Sequence, residues 1–447
     1  MSFFTLIVGL GKTGFSCANY LAEKNISFRV VDTRHSPPEL KNFLKIFPDV
    51  PVHLGKFPSQ WFTDAKKIIV SPGVSLKEKN IACALQSGKK VIGDIELFML
   101  SINKPVVAVT GSNGKSTVTT LIGEMISHSG KYQTAVGGNL GTPALDLLHQ
   151  TQTDLYVLEL SSFQLETTPS LKTKTSVVLN VTEDHMDRYE NFEAYLKAKQ
   201  MIYRQCEYPV IDLDEPFIWE KLNLKNIISF SIKNPQADFY LLNDRHEFFL
   251  THRGKRLLNL SEMKLKGRHN AANALAALAL GFALNLSFDS MIDTLKNFKG
   301  LRHRCEWVRE INGVHFYNDS KGTNVGATIA AIEGLGSLAQ EKQIILIAGG
   351  QGKGADFSAL NPAIEKYVKA IILIGEDASK IENALKVPAP IQHASSLKQA
   401  MDSAYQTAKT GDIILLSPAC ASFDMFKNFE DRGEQFCQWV VDKGQII

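Results

Sequence analysis

The stretch VVAVTGSNGKSTVTTLIGEMIS, residues 106–127, constrains this chain more than any other feature. An uninterrupted apolar run reads as a buried strand, and the amphipathic run after the turn reads as a helix. Between them lie two glycines, a lysine and two hydroxyls. Gly111 and Gly114 let backbone amides approach an anion, with Asn113 between them in the loop. Lys115 supplies positive charge, and Ser116 or Thr117 can reach a Mg²⁺ ion, while the positive end of the helix faces the same phosphate. The loop departs from the standard G-x-x-x-x-G-K-[ST] spacing, its tight element being only G-S-N-G-K-S. A ligand-free glycine turn would leave the order strand, glycines, Lys-Ser-Thr, helix without a reason.

At 447 residues the chain exceeds one ordinary domain, and the length prior suggests three. A formal net charge of +3 is close to neutral and gives no case for a nucleic-acid or membrane-surface protein. No segment is apolar for long enough to span a bilayer. The opening MSFFTLIVGLGKTG reads as a first strand rather than a leader. Cys17, Cys83, Cys206, Cys305, Cys420 and Cys437 show no C-x-x-C pairing, as expected of reduced thiols in a cytoplasmic protein.

Strand and helix patterns alternate along the whole chain, which predicts an α/β protein of three consecutive α/β domains, residues 1–95, 96–300 and 301–447. In the first, FTLIVGLG, SFRVVDTR, KKIIVSPG and KKVIGDIEL read as strands in βαβ order, a Rossmann-like arrangement. The second, a P-loop-type domain, runs from the phosphate loop at 111 through DLYVLEL and TSVVLNVT to the alanine-rich helix NAANALAALALGFAL. The third carries VHFYNDS, QIILIAGG, AIILIG and DIILLSPA, the signature of a doubly wound sheet.

GLGKTG, Gly9 to Gly14, follows a strand and precedes a helix, with Asp32 at the end of the next strand. Alone it is a weak dinucleotide fingerprint. A second phosphate loop makes a nicotinamide dehydrogenase less attractive than a domain that holds a nucleotide-linked substrate, with Thr13 near phosphate, Asp32, Thr33 and Arg34 near the rest, and Ser71 of SPGV closing the crevice. LELSSFQLE puts Glu159 at a strand end. NVTEDHMDRY follows another, with Asp184, His185 and Asp187 in the loop and Lys197 and Lys199 on the next helix. Mg²⁺ prefers oxygen ligands, so Glu159 is a natural contributor and His185 a less usual one. In the third domain NDSKGTN, AGGQGKGADF and SPACASFDMFKNFEDRG end three strands with Asp319, Lys321, Thr323, Lys353 and Ser422, an expected anion-binding face. A non-catalytic nucleotide-binding scaffold would leave these clusters without a task.

On these motifs the sequence resembles the Mur ligases, ATP-dependent amide-forming enzymes of peptidoglycan synthesis, through all three domains. The resemblance implies that Lys115, Ser116 and Thr117 hold ATP phosphates and Mg²⁺, with Ser116, Glu159, His185 and Lys199 as metal-site residues. Asn270 and Asn273 would lie by adenine, and Arg304, Asp319 and Lys321 would complete the ATP site. Thr13, Asp32, Thr33, Arg34, Ser71 and Asn139 would bind a UDP-sugar, and Thr323, Lys353, Ser422 and Phe429 the incoming amino acid. Lys199 matches a lysine carbamylated by CO₂ in this family, which would let it ligate a second Mg²⁺. NDSKGTN and SPACASFDMFKNFEDRG look like those members that join D-glutamate to UDP-N-acetylmuramoyl-L-alanine through an acyl phosphate; a sister ligase with another amino acid is the alternative. Lys115, His185, Lys199 and Lys321 would carry the chemistry, with His185 a candidate to help remove the amine proton. Closure of the second and third domains on ligand, and a monomer, are expected on the same resemblance. One departure stands out: Gln351 replaces the aspartate of many relatives beside Lys353.

Overall fold

A computed structural model of the chain describes residues 4–265, 267–336 and 342–445. Three sheets follow one another. The first comprises Thr5–Val8 (β1), Phe28–Asp32 (β2), Val52–Leu54 (β3), Lys67–Val70 (β4) and Lys90–Ile92 (β5), all parallel in the order β3-β2-β1-β4-β5. β1 is apolar at nearly every position because both its faces are covered: Ile7 enters one hydrophobic cluster and Leu6 and Val8 another. The order reverses between β1 and β4, which opens a crevice at their carboxyl ends. KKVIGDIEL, read as a strand, is one only at β5. After Gly93 the chain turns into the helix Asp94–Met99, whose Ile95, Leu97 and Phe98 are buried, with the Phe98 ring 4.9 Å from that of Tyr156.

The second sheet runs Val106–Thr110 (β6), Thr134–Gly138 (β7), Leu155–Glu159 (β8), Thr173–Val178 (β9), Cys206–Asp212 (β10), Ile228–Ser231 (β11), Phe239–Asp244 (β12), Glu247–His252 (β13) and Lys255–Asn259 (β14). Its order is β14-β13-β12-β11-β10-β9-β6-β8-β7. β6 lies between β8 and β9, so the loops after these three strands meet. The helix Arg268–Ala283 is apolar all round because it is packed all round. Strands β10 to β14 escape the sequence reading. The hairpin between β12 and β13 turns at Arg245 and His246, φ 50° and 72°, left-handed positions usually marked by Asn or Gly.

The third sheet comprises Glu306–Ile311 (β15), Val314–Asn318 (β16), Ile344–Gly349 (β17), Val368–Ile374 (β18), Ile391–His393 (β19) and Ile413–Leu416 (β20), in the order β15-β16-β20-β17-β18-β19 with only β15 antiparallel. Alternate residues of β17 enter opposite clusters, so this sheet too is covered on both faces. Among the described residues no helix is long and apolar enough to cross a membrane.

Candidate active site

The loop after β6 is shaped by its own residues. Gly114 has φ +80°, and a Cβ there would lie 2.5 Å from Asn273 Oδ1, so both conformation and space require glycine. Asn180, beyond β9, accepts the Asn113 amide at 2.8 Å and donates to the Asn113 carbonyl at 3.1 Å, fixing the loop's midpoint. The helix Lys115–Ser129 starts there. Lys115 Nζ donates to the carbonyls of Gly111 and Ser112, both at 2.8 Å; burial lowers its pKa, with Glu159 opposing the shift and Arg304 adding to it.

Glu159, 2 % exposed at the end of β8, is the anionic centre. It accepts from Ser116 Oγ at 2.6 Å and from Asn139 Nδ2 at 2.7 Å. Burial works most strongly against its charge, but Lys115, the two hydrogen bonds and Arg304 hold the carboxyl below the usual range. Arg304, from the chain leading into the third sheet, donates through Nη2 to Ser116 Oγ at 2.7 Å. Asn139, expected at the UDP-sugar, thus also steadies Glu159.

Lys199 lies near the end of the helix Phe192–Gln200, 1 % exposed, with Nζ 2.8 Å from the Gly111 carbonyl. Burial and then Lys115 push its pKa well down, which favours the uncharged amine. The loop after β9 holds His185 in a left-handed conformation, φ 58°. Its pKa is lowered to about 4, chiefly by burial, so the ring is neutral at neutral pH. Beside it Asp184 accepts Lys353 Nζ at 3.0 Å. Lys353, expected at the amino acid, is therefore ion-paired across to the second sheet. The Gln351 side chain donates to Glu376 at 3.1 Å rather than facing Lys353.

At the strand ends of the third sheet, Asp319 accepts from the Cys305 amide at 3.0 Å and Ser417 Oγ at 2.7 Å. Burial raises its carboxyl to about 7. Lys321 Nζ sits 3.7 Å above the Phe429 ring. Burial first, then Arg304, lowers its pKa to about 8. Thr323 donates its amide to the Lys321 carbonyl at 2.8 Å, and Ser422 is buried beyond β20, its carbonyl accepting the Phe426 amide at 2.8 Å. A cleft of about 90 Å³ runs between second and third sheets and brings together Asn113, Gly114, Thr117, Asn270, Asn273, Arg304, Asp319 and Lys321. Asn273 donates to Asn270 Oδ1 at 3.1 Å, orienting both amides.

A separate cavity of about 510 Å³ lies at the crevice of the first sheet and extends to the second. It is lined by Thr13, Asp32, Thr33, Arg34, Ser71 and Asn139, all six residues expected there. A Cβ on Gly14 would lie 1.9 Å from the Gly9 carbonyl, so helix and strand meet only through glycine. Asp32 accepts the Leu10 amide at 2.7 Å and Arg34 Nη2 at 2.7 Å. Burial opposes its charge most, yet Arg34 and these amides keep its carboxyl below the usual range.

The sequence shows Asp184 in its loop without indicating its partner, and nothing local marks Asn180. Asn324 carries a local signal, an Asn immediately before a helical pattern. Arg432, within FEDRG, is unexpectedly buried: 0 % exposed, its Nη2 donates to the carbonyls of Ser320 at 2.8 Å and Cys420 at 3.2 Å. Among the described residues no three or more His, Cys, Asp or Glu side chains group to hold a metal. Glu159 and Ser116 nevertheless offer adjacent hard oxygens of the kind Mg²⁺ takes together with phosphate, whereas Lys199 offers an amine that ligates Mg²⁺ poorly unless modified.

A strand-loop-helix turn rich in glycine, a buried carboxylate and cations drawn from two α/β units form a cleft of the kind that takes phosphate groups. Residues 4–93 match the Mur ligase MurD-like N-terminal domain, 109–281 the Mur ligase middle domain, and 303–420 the Mur ligase glutamate ligase domain. UDP-N-acetylmuramoylalanine--D-glutamate ligase of Coxiella burnetii (strain Dugway 5J108-111) is 52 % identical over 437 residues, covering 98 % of each chain. The Marinobacter nauticus protein of that name is 49 % identical over 436 residues, covering 97 % of this chain and 96 % of its own. The chain belongs to the Mur ligase family. Its fold is shared by the UDP-N-acetylmuramate-alanine ligase MurC of Thermotoga maritima (TM-score 0.64, 18 % identity, 99 % and 100 % covered). MurF ligase of Thermotoga maritima, solved in complex with ADP, is equally similar (TM-score 0.64, 16 % identity, 99 % and 96 % covered).

Proposed function

We propose that this chain is an ATP-dependent ligase that adds D-glutamate to UDP-N-acetylmuramoyl-L-alanine in the cytoplasmic phase of peptidoglycan synthesis, acting as a monomer. The observation that carries the reading is identity near one half, over almost the entire chain, to ligases of that name. The division of labour is residues 1–95 for the UDP-sugar, 96–300 for ATP and 301–447 for the amino acid.

A free carboxylate does not form an amide directly, because its oxygen is a poor leaving group. In the proposed route an L-alanyl carboxylate oxygen attacks the γ-phosphorus of ATP, and the bond to the β-phosphate oxygen breaks, giving an acyl phosphate and ADP. The D-glutamate amine then attacks the carbonyl carbon, loses a proton, and expels phosphate. Two anions meet in the first step. Lys115, Arg304 and Lys321 offset their repulsion; burial and then Arg304 depress Lys321, and an arriving phosphate favours its charged form. Asn113, Gly114 and Thr117 line the nucleotide side with Asn270 and Asn273 toward adenine and Asp319 opposite. Gly111 shapes the same loop.

Mg²⁺, when bound, neutralises phosphate charge; Ser116 and Glu159 would hold one ion, His185 and a carbamylated Lys199 a second. The uncharged Lys199 amine is the form that adds to CO₂: a C–N bond forms as one C=O π bond opens, one proton leaves the nitrogen, and the neutral amine becomes a carbamate anion. His185, uncharged and held near 4, is a weak base for an ammonium proton and fits better as a neutral ligand. Depleting CO₂ is expected to lower the rate and bicarbonate to restore it. A K199R variant responding to bicarbonate as the unmodified enzyme does would contradict the carbamate. Lys353, Thr323, Ser422 and Phe429 would hold D-glutamate, whose carboxylates call for donors such as Lys353 and Ser422.

The direct test supplies ATP, Mg²⁺ and UDP-N-acetylmuramoyl-L-alanine with D-glutamate, L-glutamate, L-lysine or meso-diaminopimelate. Phosphate release with D-glutamate alone is expected. Turnover with another amino acid would favour a sister ligase instead.

A further inference from the structure

The amide of Asn324 touches three separate parts of the site. Its Oδ1 accepts the Ala327 amide at 2.9 Å and so caps the helix Val325–Gly336, which fixes which end of the side chain carries the nitrogen. That nitrogen crosses to the second sheet, where Nδ2 donates to Asn113 Oδ1 of the nucleotide loop at 3.1 Å and to Asp184 Oδ2 at 3.3 Å. The other oxygen of Asp184 accepts Lys353 Nζ at 3.0 Å. Asn324 is 7 % exposed, so these donors face no competing bulk water.

The approach has a second, independent mark. Gly326 lies in the first turn of the same helix, and a Cβ on it would sit 3.1 Å from Thr182 Oγ1 and 3.2 Å from Asn113 Nδ2. The absence of a side chain at 326 lets the helix end come this close to the loops after β6 and β9. Asn113 is itself clamped by Asn180 through both its amide and its carbonyl. The Asn113 side chain that Asn324 holds thus springs from a backbone fixed on both sides.

We infer that Asn324 is the positioning residue that latches the third domain onto the second. Its two donors tie the nucleotide loop to the Asp184–Lys353 pair, so that ATP and the incoming amino acid are bound by one closed arrangement. The assignment of ligands to the two ends rests on the function proposed above; the latch itself rests on contacts within the chain.

The discriminating variant is N324D. Aspartate caps the helix as well as asparagine does, but it presents an oxygen where the latch needs a donor and sets a second carboxylate against Asp184. Thermal unfolding is expected at the wild-type temperature. In small-angle scattering the ligand-free variant is expected to have a larger radius of gyration than the wild type. KM for ATP and for D-glutamate should each rise about tenfold or more, the scale of a lost hydrogen bond to a charged group, with KM for the UDP-sugar unchanged. G326A, which crowds the same contact sterically, should show the same split. An N324D protein with wild-type dimensions and wild-type constants would overturn the latch, as would an equal rise in all three KM values. If the wild type does not turn over D-glutamate, the proposed function fails, and the scattering comparison alone decides the latch.

Discussion

Lys321 shows how single side chains set the pH behaviour of this site. With its pKa lowered to about 8, the ligand-free protein loses the Lys321 charge as pH rises through that value, well below an ordinary lysine. kcat/KM for ATP is therefore expected to fall above about pH 8 and to be full below it. Arginine keeps its charge far higher, so K321R should remove that limb; an identical profile in K321R would assign the limb to another group. Asn139 offers a second residue-scale test. It lines the first-domain cavity and also holds Glu159 at 2.7 Å. N139A should raise the Mg²⁺ concentration needed for half-maximal rate by about ten- to a hundredfold, the usual effect of losing a ligand's supporting hydrogen bond. A change confined to KM for the UDP-sugar would mean that the Glu159 contact is incidental.

Individual elements place these groups, and their legibility in the sequence varies. The strand-loop-helix at 106–129 announces itself because glycine spacing and apolar periodicity coincide there, and Gly114 shows why: alanine would meet both a left-handed backbone and Asn273. G114A is expected to abolish nucleotide binding while the rest of the protein folds. Full nucleotide affinity in G114A would show that this loop tolerates a Cβ after all. The helix Phe192–Gln200 carries Lys199 and is capped by Asn191, which accepts the Ala194 amide at 2.9 Å. N191A should cost about 1 kcal/mol of stability and lower the Lys199-dependent rate; an unchanged melting temperature would contradict the cap. Strands β12 to β14 were illegible because their first hairpin turns on Arg245 and His246 rather than on Asn-Gly, and KKVIGDIEL misled because a three-residue strand runs straight into a helix. Lone motifs revealed which residues were polar, but not that Lys353 pairs with Asp184 or that Asn324 reaches the nucleotide loop. Those contacts join residues about 140 to 211 positions apart, and no local pattern encodes them.

For the whole molecule, the first and second sheets share one cavity and the second and third another cleft, the latter lined by the glycine loop of one unit and the cations of the next. Arg304 bonded to Ser116 and Asn324 bonded to Asn113 join the second unit to the third. Whether the carboxylate is activated by phosphorylation is decided with UDP-N-acetylmuramoyl-L-alanine labelled with heavy oxygen in its carboxylate, incubated with ATP, Mg²⁺ and D-glutamate. One labelled oxygen is expected in the released phosphate for each UDP-linked dipeptide product formed. Product formation with no label in phosphate would contradict activation through an acyl phosphate, and label transfer without D-glutamate incorporation would contradict the amino acid assigned to the third domain.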